Sequence, residues 1–338
     1  DPCAAVVRRL HLPPKRKETV SFVLGFARGE QVVRRLPEMA AREDAYAAAR
    51  DLPQLHTPDD ALNTLCSVWL PHQVLACRLY ARTGFYQCGG AWGFRDQLQD
   101  SLAALWFAPE VTARQIMRCC AAQFEEGDVL HWWHNLPRGL RGVRTRCSDD
   151  LVWLPYAAAM YCAFTGDDAL LDRQVRWLTG PALAEDEQER YFEPARTEYK
   201  SNVYEHCVRA LDKASTAGVH GLPLMGSGDW NDGMNKVGAE GTGESVWLAM
   251  FLAMALEAFA QLCERRGDSD RALLFRERAT AYRQAVDACF DGDRYLRAYL
   301  DDGTPLGKRG APACAIDSLT QSENRGAQTS HGLSYQKL

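Results

Sequence analysis

From residue 60 to residue 290, apolar side chains recur at three- and four-residue steps with charged residues between them, the spacing of helices that bury one face. The pattern predicts helices over 60–83, 97–107, 111–125, 150–165, 169–178, 203–217, 245–266 and 268–290. Asp149, the Gly243-Glu244 pair and Asp268 mark helix starts. Upstream the pattern is different. Ala5-Val6-Val7 and the stretch from Glu18 to Leu24 alternate as strands do, separated by a turn-like Leu12-Pro13-Pro14-Lys15-Arg16-Lys17. Residues 28–52 are charged, alanine-rich and helix-prone. No fixed repeat period is present, so a plain solenoid is not indicated. Helical hairpins joined by alternating short and long loops point to a mainly α chain wound as an α/α toroid, with the loops at one end building a cleft.

Composition narrows the setting. The 338 residues are 46% hydrophobic and 25% charged, with 39 basic and 44 acidic side chains and a formal net charge of −5. Such a chain buries a core, and no basic tract could neutralise a phosphate backbone, so nucleic acid is not an expected partner. The apolar run over 246–258 is broken by Glu257 and falls short of the ~20 residues of a membrane helix. Neither a membrane span nor a signal peptide is expected. The twelve cysteines are scattered, form no CxxC and sit mostly in apolar helical runs, which indicates reduced, buried thiols and a cytoplasmic setting.

Candidate chemistry concentrates in a glycine-rich loop. Eight of the 26 glycines fall between Gly218 and Gly243, around Gly226-Ser227-Gly228-Asp229-Trp230-Asn231-Asp232-Gly233-Met234-Asn235. Carboxylates and an amide suit sugar hydroxyls, and an indole suits the apolar face of a sugar ring. A calcium loop is set aside because the flanks do not read as paired helices. A second cluster, Gly84 to Asp100, contains Arg95, Asp96, Gln99 and Asp100 where a glycine-rich loop enters a helix. Asp96 could be a plain cap there. The third runs from His131-Trp132-Trp133-His134 through Arg138, Arg141, Arg144 and Arg146 to Ser148-Asp149-Asp150. Its arginines suit phosphate or acid partners, and Asp149 fits a helix cap and a site residue equally. HxxH lacks a third ligand at metal spacing, so no metal is expected. The glycine spacing at 238–243, the GK at 307–308 and the absence of GxSxG lend no support to dinucleotide, P-loop or acyl-transfer chemistry.

Four blocks, GFYQCGGAWGFRDQLQD, HWWHNLPRGLRGVRTRCSDDLVWLPYA, VYEHCVRALD and HGLPLMGSGDWNDGMNKVGAEGTGESVWL, resemble glycoside hydrolase family 94, the inverting glycoside phosphorylases. Within that family they look most like the phosphorylase-type domain of cyclic β-1,2-glucan synthases and the β-1,2-oligoglucan phosphorylases. The resemblance implies the end of a β-sandwich over 1–27, a helical linker over 28–59 and an (α/α)6 barrel over 60–322. It implies Asp232 as general acid, Trp230 lining the sugar site with Asp229 and Asn231 beside it, and Arg95 and Asp96 on the donor sugar. Gln99, Asp100, Arg144 and Asp149 join the candidate substrate-binding set.

The implied reaction is phosphorolysis of β-1,2-glucan to α-glucose 1-phosphate, with phosphate as co-substrate and no cofactor. Burial beside Trp230 and the charge of Asp229 are expected to keep Asp232 protonated. The cytoplasmic side of the inner membrane is the expected location for a glucan synthase domain, and a homodimer is allowed for the complete protein. Fewer helices are counted than a full family barrel has, and residues 323–338 resemble nothing in the family. The expectation is therefore a barrel incomplete at its C-terminal side, with an exposed apolar face and most of the phosphate ligands beyond it. Two alternatives remain open: an inverting (α/α)6 hydrolase with Asp229 or Glu193 as base, and an inactive carbohydrate-binding fragment.

Overall fold

The computed structural model describes residues 7–20, 22, 52, 54–79, 90–136, 139–311 and 314–323. The chain divides into two units, Asp1–Leu52 and Pro53–Leu338. In the first, residues 7–20 have no regular structure apart from a turn in which Arg16 N donates to Pro13 O at 3.2 Å. Residues 18–20 do not form the start of the expected strand over 18–24. Val7 and Phe22 of the expected strands and Leu52 at the end of the stretch 28–52 have no regular structure, and the rest of these segments lies outside the described residues.

The second unit opens with α1 (60–79). Asp59 caps it by accepting from Ala61 N and Leu62 N. Pro71, which has no N–H to donate, stands between two wide π turns, Leu65–Trp69 and Gln73–Leu79. This helix exposes Leu62, Leu65, Val68, Trp69 and Leu70. Then follow β1 (Trp92–Gly93), α2 (Phe94–Leu102), α3 (Pro109–Cys120), β2 (Leu130–Leu136), β3 (Gly139–Thr145), α4 (Asp150–Thr165), β4 (Gln174–Thr179), β5 (Glu189–Phe192), β6 (Ala195–Asn202) and α5 (Val203–Ala214). After the long loop come β7 (Glu244–Ser245), α6 (Val246–Arg265), α7 (Ser269–Asp287), β8 (Ala298–Tyr299), β9 (Pro305–Leu306) and α8 (Ser318–Glu323).

Helices α4 and α6 are the centre of the core. α4 packs against α2, α3, α5 and α6, and α6 against its antiparallel neighbour α7. Apolar on nearly its whole circumference, α6 is long and apolar enough to cross a membrane by composition alone. It is instead sheathed by protein, with Trp247, Phe251, Leu256 and Phe259 in the main hydrophobic cluster. Ser245 starts it by accepting from Leu248 N at 3.0 Å.

The helix expected over 169–178 is a single 3₁₀ turn, Asp168–Asp172, followed by β4. Val175 and Trp177 alternate inward there, and β6 supplies antiparallel partners from Gln174↔Asn202 to Thr179↔Ala195 that no local pattern announces. The arginine-rich third cluster is a hairpin, β2–β3, inside an antiparallel sheet of order β1-β2-β3-β5. A small β7-β8-β9 sheet closes the far end of the long loop.

Candidate active site

The glycine-rich loop lies against the strand-to-helix turn before α4. Ser227 N donates to Arg146 O at 3.1 Å, Ser148 N to Gly228 O at 2.9 Å, and Ser148 Oγ to Met225 O at 2.9 Å. Gly226 has φ +61, and a Cβ there would lie 2.0 Å from the Arg146 carbonyl oxygen, so only glycine permits this approach. At the loop's entry the Glu244 carboxylate accepts from His220 N at 3.0 Å and Leu222 N at 3.1 Å, while the His220 ring stacks on Tyr299 at 3.7 Å.

Arg95, 4% exposed at the start of α2, gathers the site. Its Nη1 donates to Asp149 Oδ1 at 2.8 Å and to the Asp229 carbonyl at 2.7 Å, and its Nη2 donates to Asp232 Oδ1. Cys147 Sγ stands 3.3 Å from both Arg95 Nη1 and Asp149 Oδ1. Asp149 takes no cap bond. Its second oxygen accepts from Trp153 Nε1 at 2.9 Å, so the side chain is a buried partner of Arg95 and Trp153 rather than a helix cap. Burial pushes the Asp149 carboxyl up, and Arg95 draws it only part of the way back.

The two aspartates of the loop differ completely. Asp229 is fully buried: Arg297 Nη2 donates to its Oδ1 at 2.6 Å, Arg297 Nη1 to its Oδ2 at 2.7 Å, and Ser245 Oγ to Oδ2 at 2.7 Å. It holds the loop and offers no free lone pair toward a sugar, which corrects its expected place as a ligand. Asp232 is the exposed one, its side chain 74% accessible. The expected burial beside Trp230 is therefore not found, and the charge of Asp229 is spent on Arg297. Trp230 is 42% exposed and donates through Nε1 to Gln99 Oε1 at 3.2 Å. Asn231 turns inward on the loop, accepting from Gly233 N at 2.9 Å.

Along α2, Asp96 and Gln99 are exposed while Asp100 is half-buried. Asp96 is not the cap. Gly93 is the cap residue, and the Asp96 carboxylate folds back over it. Asp100 accepts from Arg78 Nε at 2.9 Å; burial pushes its carboxyl up against the pull of that arginine.

Arg144 does not join the cluster. It is 2% exposed and binds Asp128 through Nε and Nη2, reaches the carbonyls of Gly180 and Pro181, and lies 4.0 Å over Phe124, so it ties β3 to neighbouring turns. A cavity of about 280 Å³ lies beside it, lined by Cys147, Ser148, Asp150, Lys213 and Gly226 among others. Arg95, Trp230 and Asp232 do not line this cavity.

His131, Cys147 and Asp150 bring three ligand atoms within 4.8 Å of one another. Burial works against charge on His131, but Asp150, 2.7 Å from Nδ1, holds the ring at about 9. Burial pushes the Cys147 thiol well up. The Arg95 guanidinium, 3.3 Å from Cys147 Sγ, brings a fixed positive charge to this donor set. No motif marked Arg297, which lies outside the four blocks. His131, Cys147, Asp150 and Ser245 lie within the blocks, but their partners could not be read from spacing.

The chain belongs to the glycosyl hydrolase 94 superfamily: the profile of that superfamily's catalytic domain matches residues 50–327. It is 44% identical over 335 residues to the cyclic beta-(1,2)-glucan synthase NdvB of Rhizobium meliloti (strain 1021), covering 95% of this chain and 12% of that protein. It is 30% identical over 322 residues to the 3-O-beta-D-glucopyranosyl-beta-D-glucuronide phosphorylase of Paenibacillus borealis, covering 91% of this chain and 39% of that one. Among solved structures, a GH78 family rhamnosidase of Bacillus sp. GL1 superposes with a TM-score of 0.53 at 16% identity, over 75% of this chain and 24% of that one. That likeness concerns the fold alone.

Proposed function

We propose that this chain is the acid-bearing part of an (α/α)6 glycoside phosphorylase domain, of the kind that accompanies cyclic glucan synthesis, acting on β-1,2-glucan with phosphate as co-substrate. The observation that carries the reading is the division of labour in the loop. Asp232 is an exposed carboxyl group next to an exposed indole, while Asp229 is sealed on Arg297. An inverting hydrolase needs two usable carboxyl groups, one as acid and one as base for water. Asp229 has no free oxygen to serve as that base, and Glu193 is an exposed residue beside Gly139 at the hairpin end of β3.

A single acid is enough when the nucleophile is phosphate. Trp230 and Gln99 offer a stacking face and a polar edge to the sugar. Asp232 turns from Arg95 to the glycosidic oxygen and gives it a proton as the bond to C1 breaks. A phosphate oxygen bonds C1 from the opposite face, inverting it, so the products are α-glucose 1-phosphate and a glucan shortened by one unit. The proton lost by Asp232 is returned from the attacking hydrogen phosphate, which balances the reaction without a cofactor. Free cysteines, buried at Cys119, Cys120, Cys147, Cys162, Cys207, Cys263 and Cys289, support a reducing, cytoplasmic setting. A homodimer of the complete protein belongs to the same reading.

The test is release of glucose 1-phosphate from β-1,2-glucan oligosaccharides with and without phosphate. Phosphate-dependent release that Asp232→Asn abolishes supports the reading. Turnover of equal rate in phosphate-free buffer makes the protein a hydrolase, and sugar binding with no turnover makes it a binding protein.

A further inference from the structure

Arg297 belongs to no motif in the sequence, yet it and Asp229 form an ion pair in which neither side chain has exposed surface. Its main chain is fixed as well. Arg297 N donates to Leu306 O at 2.7 Å, and its carbonyl accepts from Val246 N at the start of α6 at 3.2 Å. On the outer side Arg297 Nε faces Asp317 Oδ2 at 3.2 Å, just before α8. The guanidinium is therefore wedged between the acid loop and the C-terminal part of the described chain, with an anion on each side.

Asp229 is gripped at both ends. Arg95 Nη1 takes its carbonyl at 2.7 Å, Arg297 takes both carboxylate oxygens, and Asn231 N closes onto Oδ1 at 3.1 Å. Asp232 follows immediately and rests on the other arm of Arg95. Removing Arg297 would leave a buried, unpaired carboxylate, which can regain water only if the loop moves. That movement would carry Asp232 with it.

We propose that Arg297 is a positioning residue for the reaction proposed above: through its bidentate pair with Asp229 it sets where the Asp232 carboxyl group meets the glycosidic oxygen. Misplacing a reacting group by about 1 Å costs on the order of 100-fold in rate. Arg297→Lys keeps the charge but cannot bind both oxygens in one plane. The inference rests on the phosphorylase reading, and the experiment separates the two.

In the full chain, phosphorolysis by Arg297→Lys should show kcat lowered roughly 30- to 100-fold with KM within about threefold of wild type. Amide exchange over residues 227–235 should quicken, while α4 and α6 exchange as before. Arg297→Ala should regain part of its kcat when guanidinium ion is added. A folded Arg297→Lys with wild-type kcat and wild-type loop exchange overturns the proposal. Should Arg297→Lys not fold, Ser245→Ala decides: a kcat lowered about 3- to 10-fold with faster loop exchange supports positioning, and no change in either overturns it. Wild type that releases no glucose 1-phosphate in the presence of phosphate instead sinks the phosphorylase assignment, whereas an Asp232→Asn protein as active as wild type removes Asp232 as the acid. In either event the loop exchange still reads whether Arg297 holds the loop.

Discussion

Arg95 and Asp149, 54 residues apart in the chain, meet at 2.8 Å with the arginine 4% exposed and the aspartate fully buried. Their contact joins the first turn of α2 to the residue just before α4. The same guanidinium reaches the loop carrying Asp232, so three distant segments depend on one side chain. Arg95→Met should therefore lose about 3–5 kcal/mol of stability, because it leaves Asp149 buried and unpaired. Urea unfolding of the variant beside wild type measures this. Arg95→Met combined with Asp149→Asn should recover part of the loss.

The His131–Asp150 pair makes stability depend on pH. Burial opposes the imidazolium, but Asp150 holds it, and the ring titrates at about 9 instead of 6.5. A group that binds its proton more tightly when folded adds stability that is fully present below pH 6.5 and is lost as pH rises through about 9. Wild type should fall by about 1–3 kcal/mol relative to His131→Gln across that window. Thermal melts at a series of pH values would show the two curves converging. Parallel curves would exclude a charged His131.

Gly226→Ala tests the close approach of the loop to Arg146. At φ +61 and 2.0 Å from a carbonyl oxygen, the new methyl group has no room, and backbone must move. A loss of about 1–3 kcal/mol is expected, with phosphorolysis reduced more than tenfold because Asp232 lies on the displaced segment. Denaturant melts and initial rates report the two effects separately.

Trp230→Ala should weaken oligosaccharide binding roughly 5- to 50-fold, the equivalent of about 1–2 kcal/mol. Trp230→Phe keeps a stacking ring but loses the bond to Gln99, and should fall between the two. Calorimetric titration with β-1,2-glucan oligosaccharides gives the order. Equal affinity in all three proteins would remove Trp230 from the sugar site.

The long helices were the most legible part of the sequence. The pattern for α4 matches the structure at both ends, and those for α5, α6 and α7 differ from it by a few residues, because apolar residues at three- and four-residue steps run through each of them. β4 was illegible as a strand. Leu170, Leu171, Val175 and Leu178 fit a helical stripe as well as they fit a turn and a strand, and β6, more than 15 residues away, decides between them. The β2–β3 hairpin was not legible as strands because its arginines and histidines interrupt the apolar alternation, and the pairing of Trp132 with Val143 and Trp133 with Gly142 is set only by the fold.

Residue types and order alone identified the glycine-rich loop, the Arg95 segment, the Asp149 segment and the family to which they belong. Tertiary structure decided which of these side chains are partners. It set Asp229 against Arg297, 68 residues later, and left its neighbour Asp232 open. It also drew Arg144 away to Asp128. The reason is physical: a motif specifies which groups are present, but whether a carboxylate is a ligand, a strut or an acid depends on which cation the fold brings to it and on how much water remains.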